Sequence, residues 1–294
     1  MSTVVLTAVT EGEGRMVEGP RRLRALTLNC WSVSDPLDER MAIIRRGLLE
    51  ADSDVVGLQE IVVRSDGLDQ GSMLFDDSGY FWVFGPAFRW DDGGTKLAHD
   101  ADGNGFGNLI ASRWPIVHSQ VQPLPGVPGG EPRSALGALI ETPAGIVPVL
   151  TTHLDWEFDH GCVRERQVCT VATFARTLAR TADFPPVVMG DFNAHPDSTE
   201  MRFLRGLTSI DGASTYFQDA WEVAGSGGPG HTWDNRNRFA AYAYEPDRRI
   251  DYILVGPPDG LGRGRVENAR LILDQPVGDT FASDHFGVVA DLRL

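Results

Sequence analysis

Six short polar clusters occur along the sequence, each at one end of an apolar run. They are Leu28-Asn29, Gln59-Glu60, Thr152 to Asp155, Gly190 to Asn193, Arg249 to Tyr252 and Ser283 to His285. Short apolar runs of this kind are typical of strands that are buried on both faces, and polar residues at strand ends can converge at one rim of a sheet. Carboxylates, amides and imidazoles gathered at a rim are suited to a hard divalent cation that acts on phosphate. The pattern therefore predicts an enzyme.

The remaining periodicity predicts an α+β fold. Apolar residues spaced at about 3.6 predict helices at 37–51 and 163–180, and a shorter helix is predicted at 199–206. Strand-like runs lie at 81–84, 108–111, 136–140 and 269–273. This order favours two packed sheets flanked by helices over a doubly wound parallel sheet. The segments 90–106 and 225–246 are rich in Gly and polar residues and are predicted to be long loops, which often carry function.

The chain shows no linker that would divide it into two halves. Candidate site residues run from Asn29 to His285, so residues 21–294 are expected to form one domain after a loose extension at 1–20. Either Met1 or Met16 could be the native start, since the organised pattern begins only at Arg21. The apolar stretch at the N-terminus is short for a signal peptide, and no run has the roughly 18 apolar residues of a membrane span.

The charge balance bears on the choice of substrate. With 26 basic and 41 acidic residues the net charge is −15, which argues against a large electrostatic footprint on nucleic acid. A nuclease is still open, because bound metal and a local arginine cluster can invert the field at a site. Cys30, Cys162 and Cys169 lack metal-ligand spacing and are interpreted as small hydrophobes, which fits a reducing, cytoplasmic setting.

The ordered set of clusters resembles the endonuclease/exonuclease/phosphatase superfamily, which has the fold of pancreatic deoxyribonuclease. The most specific part of the match is Gly190-Asp191-Phe192-Asn193 together with Ser283-Asp284-His285, and the likeness extends from Leu23 to Leu294. The resemblance implies a four-layer α/β/β/α sandwich of two mainly antiparallel or mixed sheets. It also implies a phosphoester hydrolase that uses Mg²⁺, with Mn²⁺ able to substitute.

The resemblance implies that Asn29, Glu60 and Asp284 bind the metal. Glu60 is expected to be a direct ligand with the Asn29 amide oxygen beside it, and Asp284 is expected to bind directly or through water. Mg²⁺ takes few protein ligands and keeps positions for water and phosphate oxygen. Taken alone, Asn29 would be a turn residue and Glu60 a solvated side chain. The prediction therefore depends on the order of the whole set.

The resemblance assigns the chemistry to His153, Asp191, Asn193, Asp251 and His285. Asp251 and His285 are expected to pair, with the carboxylate fixing the tautomer of the imidazole. Asp191 would orient or deprotonate the attacking water, or hold a second metal. Asn193 and His153 would donate to a phosphate oxygen as charge builds in the transition state. Taken alone, the Asp191 and Asn193 pair could equally form an Asx turn.

Substrate contacts are expected from Asn108, Trp233 and Arg236. Asn108 lies in the segment Gly107 to Ile116, which is similar to the mid-chain strand and turn of the superfamily. Phe88, Trp90, Trp156 and Trp233 could form an aromatic rim for a base, sugar or headgroup, or could be buried loop anchors.

The favoured function is hydrolysis of a soluble small or medium phosphomonoester or phosphodiester by metal-assisted, in-line attack of water. The alternatives are a nuclease that cleaves DNA or RNA, a sphingomyelinase-like lipid phosphodiesterase, and a non-catalytic binding module on the same fold. A groove lined by Arg236, Arg238, Arg248 and Arg249 would favour a nuclease, whereas a pocket rimmed by Trp233 and the 90–106 loop would favour a small substrate. No stable membrane association is expected, and the oligomeric state is left open.

Overall fold

Two mixed β-sheets pack face to face in the computed structural model, which describes residues 22–97 and 103–294. The strands, numbered along the chain, are β1 (Arg22–Asn29), β2 (Val55–Val63), β3 (Phe81–Trp90), β4 (Lys96–Leu97), β5 (Asn104–Ser112), β6 (Ile116–Pro123), β7 (Ser134–Thr142), β8 (Gly145–His153), β9 (Val187–Asp191), β10 (Gln218–Asp219), β11 (Asp251–Val255), β12 (Val266–Ile272) and β13 (Gly287–Arg293). The first sheet has the order β12-β13-β1-β2-β5-β3-β4, and the second has the order β10-β11-β9-β8-β7-β6.

Six helices accompany the sheets in the described residues, and the first four cover the outer faces. They are α1 (Leu37–Glu50), α2 (Gln70–Phe75), α3 (Gly161–Ala179), α4 (Thr199–Leu204), α5 (Ala220–Ala224) and α6 (Arg238–Ala241). Ile44 of α1 and Leu74 of α2 pack on the first sheet, and Val171 of α3 and Met201 of α4 pack on the second. A third apolar cluster fills the space between the sheets. These four layers confirm the predicted α/β/β/α sandwich.

The burial of the strands explains the continuous apolar runs in the sequence. Every residue of β9 and of β11 is buried, as expected for strands with a sheet neighbour on each side and a packed layer on each face. The three predicted helices agree with α1, α3 and α4 to within two residues. The strands at 81–84 and 108–111 were predicted too short, because β3 continues to Trp90 and β5 begins at Asn104.

The two predicted loops are therefore only partly irregular. The 90–106 segment contains β4 and the start of β5, and the 225–246 segment contains α6. Gly and Asp at 91–95 mark a turn, because Asp91 accepts hydrogen bonds from the backbone N–H groups of Gly93 and Thr95. Residues 98–102 of this segment lie outside the described residues. The predicted loose extension at 1–20 lies outside the described residues. Within 22–97 and 103–294, none of the helices is both long and apolar enough to cross a membrane.

Strand direction brings the polar clusters to one rim. β1 and β2 run parallel with Asn29 opposite Gln59, and β8 and β9 run parallel with His153 opposite Asp191. β11 runs antiparallel to β9, so that Asp251 at its start lies opposite Asp191 at the end of β9. The polar ends of strands from both sheets therefore share one edge of the sandwich.

Candidate active site

A cavity of about 460 Å³ opens at this rim. Its lining includes most of the predicted site residues: Asn29, Glu60, His153, Asp191, Asn193, Trp233, Asp284 and His285. Asp251 lies behind this surface, buried against His285. The structure thus gathers side chains that are far apart in the sequence, as the rim prediction requires.

Glu60 is aimed at the cavity by a β-bulge. The pairing of β2 with β5 shifts register between Leu58 and Ile61, and Glu60 has a φ of 57°. Side chains alternate between the faces of a regular strand, so Glu60 would otherwise lie on the same face as Leu58, toward the helices. The bulge turns it to the rim instead, which is a recurrent use of bulges near active sites.

Asn29 bridges two carboxylates at the centre of the rim. Its Nδ2 donates to Glu60 Oε1 at 3.1 Å and to Asp191 Oδ2 at 3.0 Å. Its Oδ1 accepts from the backbone N–H of Trp31 at 3.0 Å. The amide nitrogen therefore faces the carboxylates, and the oxygen that was expected to bind the metal faces the Trp31 backbone.

The glycine before Asp191 is required by the close approach of two strands. Gly190 has a φ of 142° and is paired with Thr152 on β8. A Cβ built on it would lie 2.0 Å from the Thr152 carbonyl oxygen, so that no side chain fits there. Asp191 follows with its Oδ1 accepting from the backbone N–H of Asn193 at 2.9 Å. Asp191 thus forms the Asx turn that was the alternative interpretation, and it also lines the site.

The environment of Asp191 favours a carboxyl group that can exchange a proton near neutral pH. Burial raises its pKa, as does the nearby charge of Asp251, and the pKa reaches about 6. Asp191 Oδ2 lies 3.4 Å from His153 Nε2 and 3.7 Å from His285 Nε2. A carboxyl group with such a pKa has the ionisation suited to a general base for a water molecule.

His285 and Asp251 form the expected pair. His285 Nδ1 lies 2.8 Å from Asp251 Oδ2, and both residues are buried. Burial lowers the pKa of His285, but the charges of Asp251 and Asp191 outweigh it and hold the pKa well above its usual value. The Asp251 backbone N–H donates to Thr232 Oγ1 at 3.1 Å, which fixes the carboxylate at the strand start. His285 can therefore present a positive charge and an Nε2 proton to the rim.

His153 has the opposite character because of Arg133. The Arg133 Nη1 lies 3.0 Å from His153 Nδ1, and a guanidinium only donates hydrogen bonds. Nδ1 must then accept, so the proton of the neutral imidazole is on Nε2, which faces the cavity. Burial and the charges of Arg133 and His285 lower the pKa of His153 well below its usual value. The rim therefore pairs a neutral histidine with a charged one.

The remaining carboxylates indicate where a cation fits. Burial raises the pKa of Glu60, and burial raises that of Asp284 to about 7, with the charge of Glu60 adding to the effect. Glu60, Asp191 and Asp284 line the same cavity, and Asp251 Oδ1 is buried behind it without a hydrogen-bond partner. Carboxylates crowded in this way are stabilised by a divalent ion, and oxygen donors match Mg²⁺. The residues present fit such an ion.

Two predicted substrate contacts lie away from the cavity. Asn108 is buried and its Nδ2 donates to the Ser134 carbonyl at 2.9 Å, which ties β5 of the first sheet to β7 of the second. The Arg236 guanidinium is largely exposed and pairs with Asp234 at 3.0 Å. Neither residue lines the rim cavity, so the placement gives no support to a substrate contact by either.

One cavity arginine, Arg133, is not indicated by the sequence analysis, and Arg248 appears there only as part of a possible arginine-lined groove. Arg133 immediately precedes β7, and the pairing of Ala135 with Thr152 brings it beside His153. The hairpin formed by the runs at 134–142 and 145–153 could have indicated this contact. Arg248 also lines the cavity, with its guanidinium 4.6 Å from the Phe158 ring and 5.9 Å from the Trp233 ring. Its contacts depend on a loop fold that no periodicity signals.

The chain is similar to known proteins in both sequence and structure. The model of the Endonuclease/Exonuclease/phosphatase family matches residues 26–285. Among curated proteins, the sequence comparison finds no match. An endonuclease/exonuclease/phosphatase from Beutenbergia cavernae is similar in structure, with a TM-score of 0.65, 26% identity, and coverage of 94% of this chain and 72% of that one.

Two further solved structures share the fold at lower identity. TDP2 from D. rerio, in a complex with a single-strand DNA product, has a TM-score of 0.72 and 19% identity, and the match covers 94% of this chain and all of that one. The human nocturnin catalytic domain, with a bound sulfate anion, has a TM-score of 0.68 and 21% identity, with 92% and 93% covered. At these identities the likeness establishes the fold.

Proposed function

The chain belongs to the endonuclease/exonuclease/phosphatase family, and from this membership and the rim geometry we propose that it is a divalent-metal-dependent phosphoester hydrolase. The observation that carries the proposal is the convergence of Glu60, Asp191 and Asp284 with a charged His285 and a neutral His153 in one cavity. The crowded carboxylates suit a cation, and the imidazoles suit a phosphate.

Glu60 and Asp284 would hold the metal, with Asn29 between Glu60 and Asp191, and Mg²⁺ is the ion that this oxygen set favours. When bound, such an ion polarises a phosphoryl oxygen and stabilises developing charge. Mn²⁺ has similar ligand preferences and is the expected substitute.

The protein side chains supply the proton handling and the hydrogen bonds. Asp191 would take a proton from the attacking water, because its pKa of about 6 lets it act as a base at neutral pH. His153 Nε2–H and the imidazolium of His285 would donate to phosphate oxygens as charge builds on them. Asn193 lines the cavity, and its Nδ2 donates to the Leu154 carbonyl at 3.2 Å, so a contact with phosphate would require exchange of that bond.

The favoured substrate is a soluble small or medium phosphoester. A long nucleic acid would be favoured if Arg236, Arg238, Arg248 and Arg249 lined one groove. Of these four residues, only Arg248 lines the cavity. Arg249 is buried in an ion pair with Asp219 at 2.8 Å, and Arg236 is paired with Asp234. Trp156 and Trp233 line the cavity, which supports the aromatic rim proposed for a compact substrate.

A substrate panel tests the proposal. Purified protein would be assayed with bis-p-nitrophenyl phosphate, p-nitrophenyl phosphate, sphingomyelin, single- and double-stranded DNA, and RNA, each with EDTA, Mg²⁺ or Mn²⁺. We expect metal-dependent hydrolysis that is fastest on the small esters and is lost in His285→Ala. Faster cleavage of DNA or RNA would replace the small-substrate assignment with a nuclease. Inactivity on every substrate with both metals would contradict the proposal and favour a binding module.

A further inference from the structure

A second cavity continues from the catalytic one. It has a volume of about 560 Å³ and shares Ser32 and Phe106 with the lining of the rim cavity. Phe106 and Asn108 are two residues apart on β5 and so lie on the same face of the first sheet, toward the second sheet. The cavity therefore extends the catalytic cavity along the ends of β3 and β5. We call it the aromatic cleft.

Three half-buried aromatic side chains line this cleft. Phe88 and Phe106 are cross-strand partners whose rings stack at 5.3 Å between centroids with 29° between planes. Trp90 is the next residue on the same side of β3, with its ring centroid 5.7 Å from that of Phe88. The bulge between Pro86 and Phe88 sets this orientation. The result is one continuous aromatic surface beside the phosphate-directed side chains.

The charges around the aromatic cleft disfavour a second phosphate. Among the described residues that line it, Arg64 is the one cation, and its Nη2 is 2.5 Å from Asp66 Oδ2. Asp92 adds a further carboxylate, which accepts from Ser65 Oγ at 2.5 Å. With one arginine and two aspartates the lining is net negative, so an uncharged group is preferred to a continuing polyanion.

We propose that the aromatic cleft binds a flat, uncharged ring of the substrate, a nucleobase or an aryl group, that is joined to the phosphate held at the rim. The inference rests on the proposed function for the identity of the rim ligand. Rings stack on aromatic side chains with little dependence on their substituents, so the surface suits either ring. Asn104 and Ser65 also line the cleft, where they hydrogen-bond to each other and to Asp92.

Equilibrium binding tests the proposal without requiring turnover. Titration calorimetry would compare thymidine 5′-monophosphate, phenyl phosphate and methyl phosphate on the full chain with Mg²⁺, in an Asp191→Asn background that keeps the ligands intact. We expect both aromatic esters to bind at least about 10-fold more tightly than methyl phosphate, as one stacked ring typically contributes. Trp90→Ala should remove most of this preference, and Trp90→Phe should keep it.

Phe81→Ala provides the matched control, since Phe81 is an exposed aromatic residue at the opposite end of β3 and lines neither cavity. Thermal unfolding of each variant checks the fold. A preference for thymidine monophosphate over phenyl phosphate would identify a nucleoside as the ring, and equal binding would identify a general aryl site. Equal binding of all three ligands, binding of none, or a preference that survives Trp90→Ala would overturn the proposal. If the chain preferred the aromatic esters to methyl phosphate but the native chain showed no metal-dependent hydrolysis, only the proposed function would be contradicted.

Discussion

Asp191 is the proposed catalytic base, and its ionised form lowers the stability of the fold. Its folded-state pKa of about 6 lies above the ordinary value of 3.8, because burial and Asp251 disfavour the charged form. The native state then binds more protons than the unfolded state between these values, so this group's contribution to stability falls as pH rises through that window. Ionised Asp191 is therefore destabilising at neutral pH when no cation offsets it.

Replacing Asp191 by Asn should separate activity from stability. We expect kcat/KM to fall by roughly 10²- to 10⁴-fold, because an amide cannot accept the proton of water. The melting temperature without metal should rise or stay equal, because the charge repulsion with Asp251 is removed. Asp197→Asn, an exposed carboxylate on the following loop, should change neither quantity. A native rate in Asp191→Asn would exclude the assignment of the base.

Arg133 is a positioning residue whose removal should alter the pH profile. Burial is the largest cause of the low pKa of His153, and the charge of Arg133 is the second. Arg133→Gln should therefore raise that pKa. His153 would then become protonated at higher pH, and the acid limb of kcat/KM that reports its ionisation should move to higher pH. Arg133→Lys, which keeps a cationic donor, should restore part of the profile. A lower rate with an unmoved acid limb would indicate a merely structural role.

The sequence predicted single residues best where their position follows from a strand end. Asn29 and Asp191 end their strands, and the expected pair of Asp251 and His285 has a distance of 2.8 Å. The sequence pattern does not give the side-chain direction of Asn108 and Arg236, and neither residue lines the rim cavity. Direction depends on register and loop geometry, which periodicity alone does not contain.

At the scale of secondary-structure elements, the junction of β8 and β9 controls the position of the catalytic carboxylate. Gly190→Ala should destabilise the fold by about 3 kcal/mol or more, because the new Cβ would overlap the Thr152 carbonyl and the φ is unfavourable for alanine. Urea denaturation measures this change.

Gly212→Ala is the matched control for Gly190→Ala. Gly212 also has a positive φ, of 75°, but its Cβ would have no atom within 4 Å. Gly212→Ala should therefore lower the free energy of unfolding by only about 1 kcal/mol, because only the backbone is strained. Equal losses in the two variants would show that the close contact between the strands is not the cause.

The elements themselves were largely predictable, whereas their irregularities were not. The apolar runs indicated the strands, and helical spacing located α1 and α3 to within two residues. The bulge that turns Glu60 to the rim has no signature in the alternating pattern, because its glutamate has a φ of 57° without a glycine to mark it. The extra length of β3 and β5 was hidden by glycine and polar residues within the strands.

At the scale of the whole molecule, Arg40 on α1 joins both ends of the sequence at the rim. Its guanidinium is fully buried and donates to the Cys30 carbonyl at 2.7 Å and to the Ser34 carbonyl at 2.8 Å. It also donates to the Ala282 carbonyl at 3.2 Å, directly before the Ser283 to His285 cluster. Burial lowers the pKa of Arg40, so its carbonyl partners are needed to hold the charge inside.

Arg40→Met should destabilise the chain by about 3 kcal/mol or more and lower activity, because several buried carbonyl groups would lose their donor. Arg46 lies on the exposed side of the same helix, so Arg46→Met should change the free energy of unfolding by no more than about 0.5 kcal/mol. Urea denaturation and the hydrolysis rate check both expectations. Native stability in Arg40→Met would show that water or a neighbouring group replaces the guanidinium.

The most direct test of the account is a metal titration of phosphoester hydrolysis by the native chain, Glu60→Gln and Glu50→Gln. Glu50 is an exposed carboxylate at the end of α1 and serves as the matched control. We expect no activity in EDTA, recovery with Mg²⁺ or Mn²⁺, and at least about a 10-fold higher metal requirement in Glu60→Gln, since one carboxylate ligand is lost. Glu50→Gln should follow the native curve. Full activity in EDTA, or a Glu60→Gln curve that overlays the native one, would contradict the assignment of the rim as a metal-dependent hydrolytic site.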